Sequence, residues 1–270
     1  MRATAQPYFL PELVLAKGTR EMAKRLEGKV ALITGASSGI GEATALALAA
    51  EGAQVAVVAR RAERLQELVK LIHEQDGTAV PVVADVADEK QVQNVVNHVK
   101  GKLGRIDILV NNAGLMLLGM IDGANTEDWR RMVDVNIMGL LYTTHSVLPI
   151  MKEQKSGHII NISSVAGRTA RAGSGVYNVT KWGVVALSEA LRQEVYKDHI
   201  RVSVIEPGAV ATELTEHITD EEAKKKQAEW LQGITPLESE DIANAIVYAA
   251  TQPERVNVNE ILIRPIEQDR

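Results

Sequence analysis

The chain has 270 residues, 46% of them hydrophobic but only 3% aromatic, and carries a formal net charge of −5. That size suits one α/β sheet covered by helices on both faces, with a core of Val, Ile, Leu and Ala. The acidic balance argues against nucleic acid or an anionic membrane as the main partner, and the absence of cysteine excludes disulfides, thiolate metal sites and thiol catalysis.

Residues 1–26 belong to no strand–helix unit and read as an N-terminal extension. Their apolar run from Tyr8 to Leu15 is interrupted by Pro11 and Glu12, which is not the pattern of a signal peptide. No apolar run reaches the ~18 residues a membrane span requires, so a cytoplasmic location is the expectation. The histidines are scattered with no pair at metal-ligand spacing. They are read as ordinary surface or satisfied residues, and no metal site is expected.

Residues 27–270 read as one dinucleotide-binding catalytic domain. Lys29 to Thr34 is a short apolar strand that runs into a Gly-rich turn, and Ile40 to Glu51 follows with the Ala/Leu periodicity of a helix that Gly52 stops. Gln54 to Ala59 is a second strand. A helix follows over Ala62 to Glu74, with Leu65, Leu68, Val69 and Ile72 along one side. Further strands are expected at Ala79 to Ala84, Ile106 to Asn111, His158 to Ile162, Ile200 to Glu206 and Glu260 to Ile263. Helices are expected at Glu89 to Lys100, around Trp129 and Met132, and from about Gly175 to Lys197. This alternation predicts a doubly wound, parallel, Rossmann-type sheet of about seven strands with helices on both faces. The charged, helix-prone stretch from 209 to 234 interrupts it after the sixth strand, where it reads as a lid over a substrate or, for most of its charged residues, as a solvated helical excursion.

The turn Thr34-Gly35-Ala36-Ser37-Ser38-Gly39-Ile40-Gly41 gives each glycine a purpose. Gly35 permits the tight exit from the strand, Gly39 lets backbone approach a pyrophosphate, and Gly41 lets the helix pack closely on the sheet. The helix N-terminus then offers free N–H groups to the phosphates. At the end of the second strand the sequence reads Ala59-Arg60-Arg61, where an NAD site usually carries an acid. Arg60 can fork a 2′-phosphate, with Ser37 and Ser38 adding hydroxyls, so NADP is the expected cofactor. Arg61 stands equally well as a second ligand or as a surface charge opening the next helix. Asp85 and Val86 can meet the adenine, although Asp85 also reads as a turn residue. Asn111 reads as structural, and the backbone of Asn112, Ala113 and Gly114 borders the cofactor.

Tyr177 and Lys181 are four residues apart and share one face of a helix. An ammonium at 4–5 Å would favour the phenolate by about 3–4 kcal/mol, lowering the phenol pKa by ~2–3. Ser164 would hold a substrate oxygen beside that phenol.

With Asn136 and Pro207-Gly208, these motifs resemble those of the short-chain dehydrogenase/reductase family over roughly residues 27–265. The resemblance implies that Tyr177 is the general acid/base and that Lys181 tunes it while binding the nicotinamide ribose. It also implies that Ser164 orients the carbonyl and that Asn136 holds backbone geometry and a relay water. Ile40, Pro207, Gly208, Val210 and Thr212 would join the cofactor site. Within the family, Ile205-Glu206-Pro207-Gly208 and the ending Asn259 to Pro265 are similar to NADP-dependent 3-hydroxy acid (serine 3-) dehydrogenases and clavulanic acid dehydrogenase. The expected substrate is a small alcohol or carbonyl compound. A narrower 3-hydroxy acid activity would use Arg168 or Arg171 for a carboxylate, and a non-catalytic dinucleotide sensor is the reading from another class. The family resemblance also suggests a homotetramer or homodimer, with pairing through the helices around Trp129 and Trp182.

Overall fold

The computed structural model describes residues 24–269. Seven strands form one all-parallel sheet: β1 (Val30–Thr34), β2 (Gln54–Ala59), β3 (Thr78–Val83), β4 (Ile108–Asn111), β5 (Gly157–Ile162), β6 (Ile200–Pro207) and β7 (Glu260–Ile263). Their order is β3-β2-β1-β4-β5-β6-β7. The direction of winding reverses between β1 and β4. The crevice at their carboxyl ends is where a ligand of such a sheet binds.

Period-two alternation in the strands sends side chains to two separate cores. Ala31, Ile33, Val55 and Val57 face α1 (Gly39–Ala50), α2 (Ala62–Glu74) and a late helix, packing with Leu48, Leu65, Ile72 and Ile246. Val30, Leu32, Ala56 and Val58 face the other way. They pack with Val95 and Val99 of α3 (Glu89–Leu103), and this core also holds Val147, Met151 and Val195 from later helices. Aliphatic side chains fill both cores without large rings, as the composition requires.

The helix around Trp129 and Met132 is α4 (Thr126–Val133), and it does not end there. A π-helical turn (Asp134–Gly139) joins it directly to α5 (Leu140–Gln154). The long helix near the Tyr–Lys pair is α6 (Gly175–Val195). The stretch after β6 contains a short 3-10 turn (Glu213–His217) and α7 (Glu221–Leu231), and α8 (Ser239–Ala250) leads back to β7. Two of these helices, α5 and α8, went unassigned in the sequence. Pro149 and paired threonines blur the period of α5, and α8 is short and rich in alanine.

Of the expected extension over residues 1–26, residues 1–23, with the apolar run, lie outside the described residues, and its last residues pack on the domain. Leu26 is buried and its N–H donates to the Glu51 carbonyl at 2.8 Å. Arg25 grips the Glu51 carboxylate and reaches Thr251 Oγ1 at 3.0 Å. Apolar burial and a charge-assisted fork therefore bind residues 25 and 26 to the sheet domain.

Candidate active site

A cavity of about 290 Å³ opens at the carboxyl ends of β1 and β4. Every residue expected at the site lines it except Gly41 and Asn136, which support it from behind. At Gly41 a Cβ would lie 2.3 Å from the Gly35 carbonyl oxygen, so only glycine lets α1 start against the turn. Gly35 has φ +65° and would press a Cβ to 2.7 Å from Ala113 Cα. Close backbone approach, rather than a side-chain contact, shapes this end of the cavity.

The turn is tied to the sheet by Asn112. Its Nδ2 donates to the carbonyls of Thr34 and Gly35, both at 3.1 Å, while its backbone N–H donates to Thr34 Oγ1. Asn111 is structural, as expected, bonded to Thr143, Thr144 and Asn161. Val86 is buried, and a Cβ on Gly139 would sit 2.9 Å from its Cγ2, so the π turn packs directly on it.

At the end of β2 the two arginines, both lining the cavity, have different partners. Arg60 has its side chain largely exposed and lies 3.8 Å from Asp85, which also accepts from the Ala87 N–H as a turn residue. Arg61 turns back over the glycine loop. Its Nε donates to Ser37 Oγ at 3.0 Å, and its Nη2 donates to Ser38 Oγ at 2.7 Å and to the Ser37 carbonyl at 3.3 Å. This fixed guanidinium with two hydroxyls around it is a donor set for a phosphate dianion.

The other end of the cavity carries the titratable groups. Tyr177 and Lys181 are both buried on α6, and Lys181 Nζ stands 5.7 Å from the centre of the phenol ring. Lys181 donates to the Ile162 carbonyl at 3.0 Å, which aims it at the end of β5. Ser164 accepts from the Ala166 N–H at 3.1 Å and shares a hydrogen bond with Tyr177. Burial pushes the Tyr177 phenol up to about 12, against the lowering effect of Ser164, and burial pushes the Lys181 ammonium down to about 8. A phenol lowered by its lysine was expected. The direction is the opposite, because burial disfavours the charged phenolate more than the Ser164 hydrogen bond favours it.

Asn136 lies in the π turn and clamps the chain after β4. Its Oδ1 accepts from the Leu115 N–H at 2.7 Å, and its Nδ2 donates to the Leu115 carbonyl at 2.9 Å and to Thr180 Oγ1 at 3.1 Å. Helix irregularities of this kind recur at functional sites because they re-aim one side chain.

Arg168, a candidate ligand for a substrate carboxylate, is paired with two carboxylates of the chain itself. Its Nε donates to Glu206 Oε1 at 2.6 Å and its Nη2 to Oε2 at 2.9 Å, and it also reaches Glu260. Glu206 is only 1% exposed and requires this partner. Arg168→Ala is therefore expected to destabilise the fold by about 2 kcal/mol or more, lowering Tm by roughly 4–8 °C, while the kcat/KM ratio of 3-hydroxy acids to neutral alcohols stays unchanged. A selective loss on the acids would return Arg168 to the substrate. Arg171 instead stacks over Trp230 of α7, 5.7 Å from the ring centre.

Among the lining residues not expected at the site, Ala59, Ala84, Leu115, Val135, Ile162 and Ser163 neighbour expected ones, while Glu213, Leu214 and His217 come from the 3-10 turn after β6. His217 reads in the sequence as one of the ordinary histidines. The only signal for the turn residues was their position just past Thr212. Ile218, next in the chain, is buried with Leu115, Met132 and Tyr177, which anchors this segment beside the phenol. Trp129 packs against the same cluster, whereas Trp182 is 48% exposed on α6. Among the described residues no helix is long and apolar enough to cross a membrane.

A family model for short chain dehydrogenase matches residues 29–223. An uncharacterized oxidoreductase of Staphylococcus saprophyticus is 42% identical over 245 residues, covering 90% of this chain and 98% of that protein. Glycine betaine reductase of Emericella nidulans is 45% identical over 243 residues, or 90% of this chain but only 19% of that larger protein. Among solved structures, the closed form of serine dehydrogenase complexed with NADP+ superposes with a TM-score of 0.83 at 36% identity, over 89% of this chain and 96% of that one. An alcohol dehydrogenase of the archaeon Thermococcus sibiricus, complexed with 5-hydroxy-NADP, gives 0.80 at 29% identity over 90% and 98%. By its family match, its relatives and its parallel seven-stranded sheet, the chain belongs to the short-chain dehydrogenase family.

Proposed function

We propose that the protein is an NADP(H)-dependent oxidoreductase that interconverts an alcohol and its aldehyde or ketone, with Tyr177 as the general acid/base. One observation carries the reading. A single cavity has the Arg61–Ser37–Ser38 donor set at one end and the hydrogen-bonded Tyr177–Ser164 pair, backed by Lys181, at the other. The glycine turn between them, where a Cβ at Gly35 would collide with Ala113, fits a dinucleotide backbone laid across the crevice. The NADP bound in the two neighbouring structures supports the same cofactor here.

A bound nicotinamide supplies or accepts the hydride. Arg61, Ser37 and Ser38 hold the 2′-phosphate, and the start of α1 faces the pyrophosphate. Ser164 donates a hydrogen bond to the substrate oxygen and keeps it beside the phenol. In reduction Tyr177 gives its proton to that oxygen, and in oxidation it takes the proton back. A phenol held at about 12 is fully protonated near neutrality, the form needed to act as an acid. Lys181 stabilises the phenolate left behind, because a charge pair in a dry site is worth far more than one in water. Asn136 fixes the Leu115 backbone that borders this end. The segment at 209–234 serves as a lid, anchored through Ile218.

The 3-hydroxy acid reading is weakened at Arg168, whose guanidinium is held by Glu206 and Glu260, and would rest on Arg171. A panel of ketones, aldehydes and 3-hydroxy acids, assayed with both cofactors, tests the proposal. NADP(H) is expected to be preferred by at least about tenfold in kcat/KM, the value of one charge-assisted hydrogen bond. Equal efficiency with the two cofactors would remove the NADP assignment. Tight cofactor binding with no oxidation of NADPH across the panel would favour the sensor.

A further inference from the structure

Glu213 opens the 3-10 turn after β6, yet its carboxylate reaches across the cavity mouth to the end of β2. Its Oε2 accepts from Arg61 Nη1 at 2.7 Å, and its Oε1 lies 3.7 Å from Arg64 Nη2. Ser38, which accepts from Arg61 Nη2, hydrogen-bonds the same carboxylate. The donors that would hold a phosphate therefore hold an acid of the chain itself.

The arrangement leaves little room for a second anion. With Ser37, Ser38 and Glu213 served, four of the five N–H groups of Arg61 are engaged. A phosphate monoester brings about −1.5 to −2 charges near neutrality and would stand beside the Glu213 carboxylate. Glu42 of α1 also faces this cluster and adds negative potential. The 3-10 turn is not isolated from the chemistry: Thr212 packs against the Gly39 backbone, and Leu214 packs against the apolar cluster containing Tyr177.

We propose that Glu213 is an internal stand-in for the cofactor's 2′-phosphate, occupying the Arg61–Ser38 cradle in the free protein and leaving it when a 2′-phosphorylated nucleotide binds. Glu213 is then a specificity-determining residue that opposes NADP(H) selectivity, and its release ties the adenosine end of the cofactor to the lid segment. The proposal rests on the NADP(H) reading above.

Calorimetric titration with adenosine 2′,5′-bisphosphate and with 5′-AMP separates the two ideas, because neither probe reaches the chemical end. Glu213→Gln keeps a hydrogen-bond acceptor for Arg61 and removes only the charge. It is expected to tighten bisphosphate binding by about threefold or more, the scale of a partly exposed ion pair, and to leave 5′-AMP within about twofold. If the wild-type protein binds the bisphosphate no better than 5′-AMP, the NADP(H) reading fails and the proposal with it. If wild type favours the bisphosphate but the Gln variant binds it unchanged or more weakly, or gains equally on both probes, Glu213 is no competitor and the proposal alone is overturned.

Discussion

Tyr177→Phe is expected to cost at least ~10²-fold in turnover while NADPH still binds with wild-type affinity. The phenol is only 6% exposed, so phenylalanine fills the same space and leaves the Leu115–Met132–Ile218 cluster packed. What disappears is the one proton positioned next to Ser164. Lys181 cannot replace it, because its Nζ is directed to the Ile162 carbonyl rather than to the substrate side of Ser164. General acid/base catalysis accounts for ~10²–10⁴-fold, which sets the scale of the loss. Steady-state rates paired with a fluorescence titration of NADPH measure the two quantities separately. A variant that keeps more than about a tenth of wild-type turnover would place the proton donor elsewhere in the cavity.

Lys181→Met should have two effects of opposite sign. Turnover should fall by about two orders of magnitude or more, because the phenolate loses its neighbouring cation. Stability at neutral pH should hold or rise. Burial depresses the Lys181 pKa to about 8 from its ordinary 10.5, so keeping the buried ammonium charged costs the fold roughly 3 kcal/mol below pH 8. Methionine removes that cost but leaves the Ile162 carbonyl without its donor, which takes back about 1–3 kcal/mol. The sign with pH follows from proton counts. Between about 8 and 10.5 the unfolded chain still holds the lysine proton and the folded chain does not, so the wild type gains stability as pH rises. The Met variant lacks this gain, and any advantage it has should shrink across that window. Above pH 10 the wild type and the Met variant both weaken, because Tyr177 stays protonated in the fold to about 12. Denaturant melts at pH 7 and pH 10 measure the difference. A Met variant that is much less stable at pH 7, with the same deficit at pH 10, would make Lys181 a structural pillar.

The parallel sheet was legible in the sequence because strands buried on both faces are continuous apolar runs, as in Gln54–Ala59, and the helix Ala62–Glu74 was legible from its 3.6-residue apolar period. Helix α5 escaped because Thr143, Thr144 and Pro149 interrupt the apolar period that a reader counts. At the site, the glycine turn and the Tyr–Lys spacing are local patterns, visible without coordinates. The partners of Arg61 and Arg168 are not, because Glu213 and Glu206 arrive from distant strand ends. The direction of the Tyr177 shift was also out of reach, since spacing gives a neighbour's charge but not the depth of burial.

The π turn between α4 and α5 has a consequence for how the two ends of the molecule can vary. Its wider winding puts the two flanking helices out of phase, so α4 offers Met132 to the cluster around Tyr177 while α5 offers Val147 and Met151 to the sheet. One unbroken backbone thus serves two compartments without giving them a common stripe. Repacking beneath the sheet can proceed along α5 with no side chain facing the phenol, and the surroundings of the phenol can be remodelled along α4 without touching the scaffold. Asn136 stands at the joint between these two freedoms.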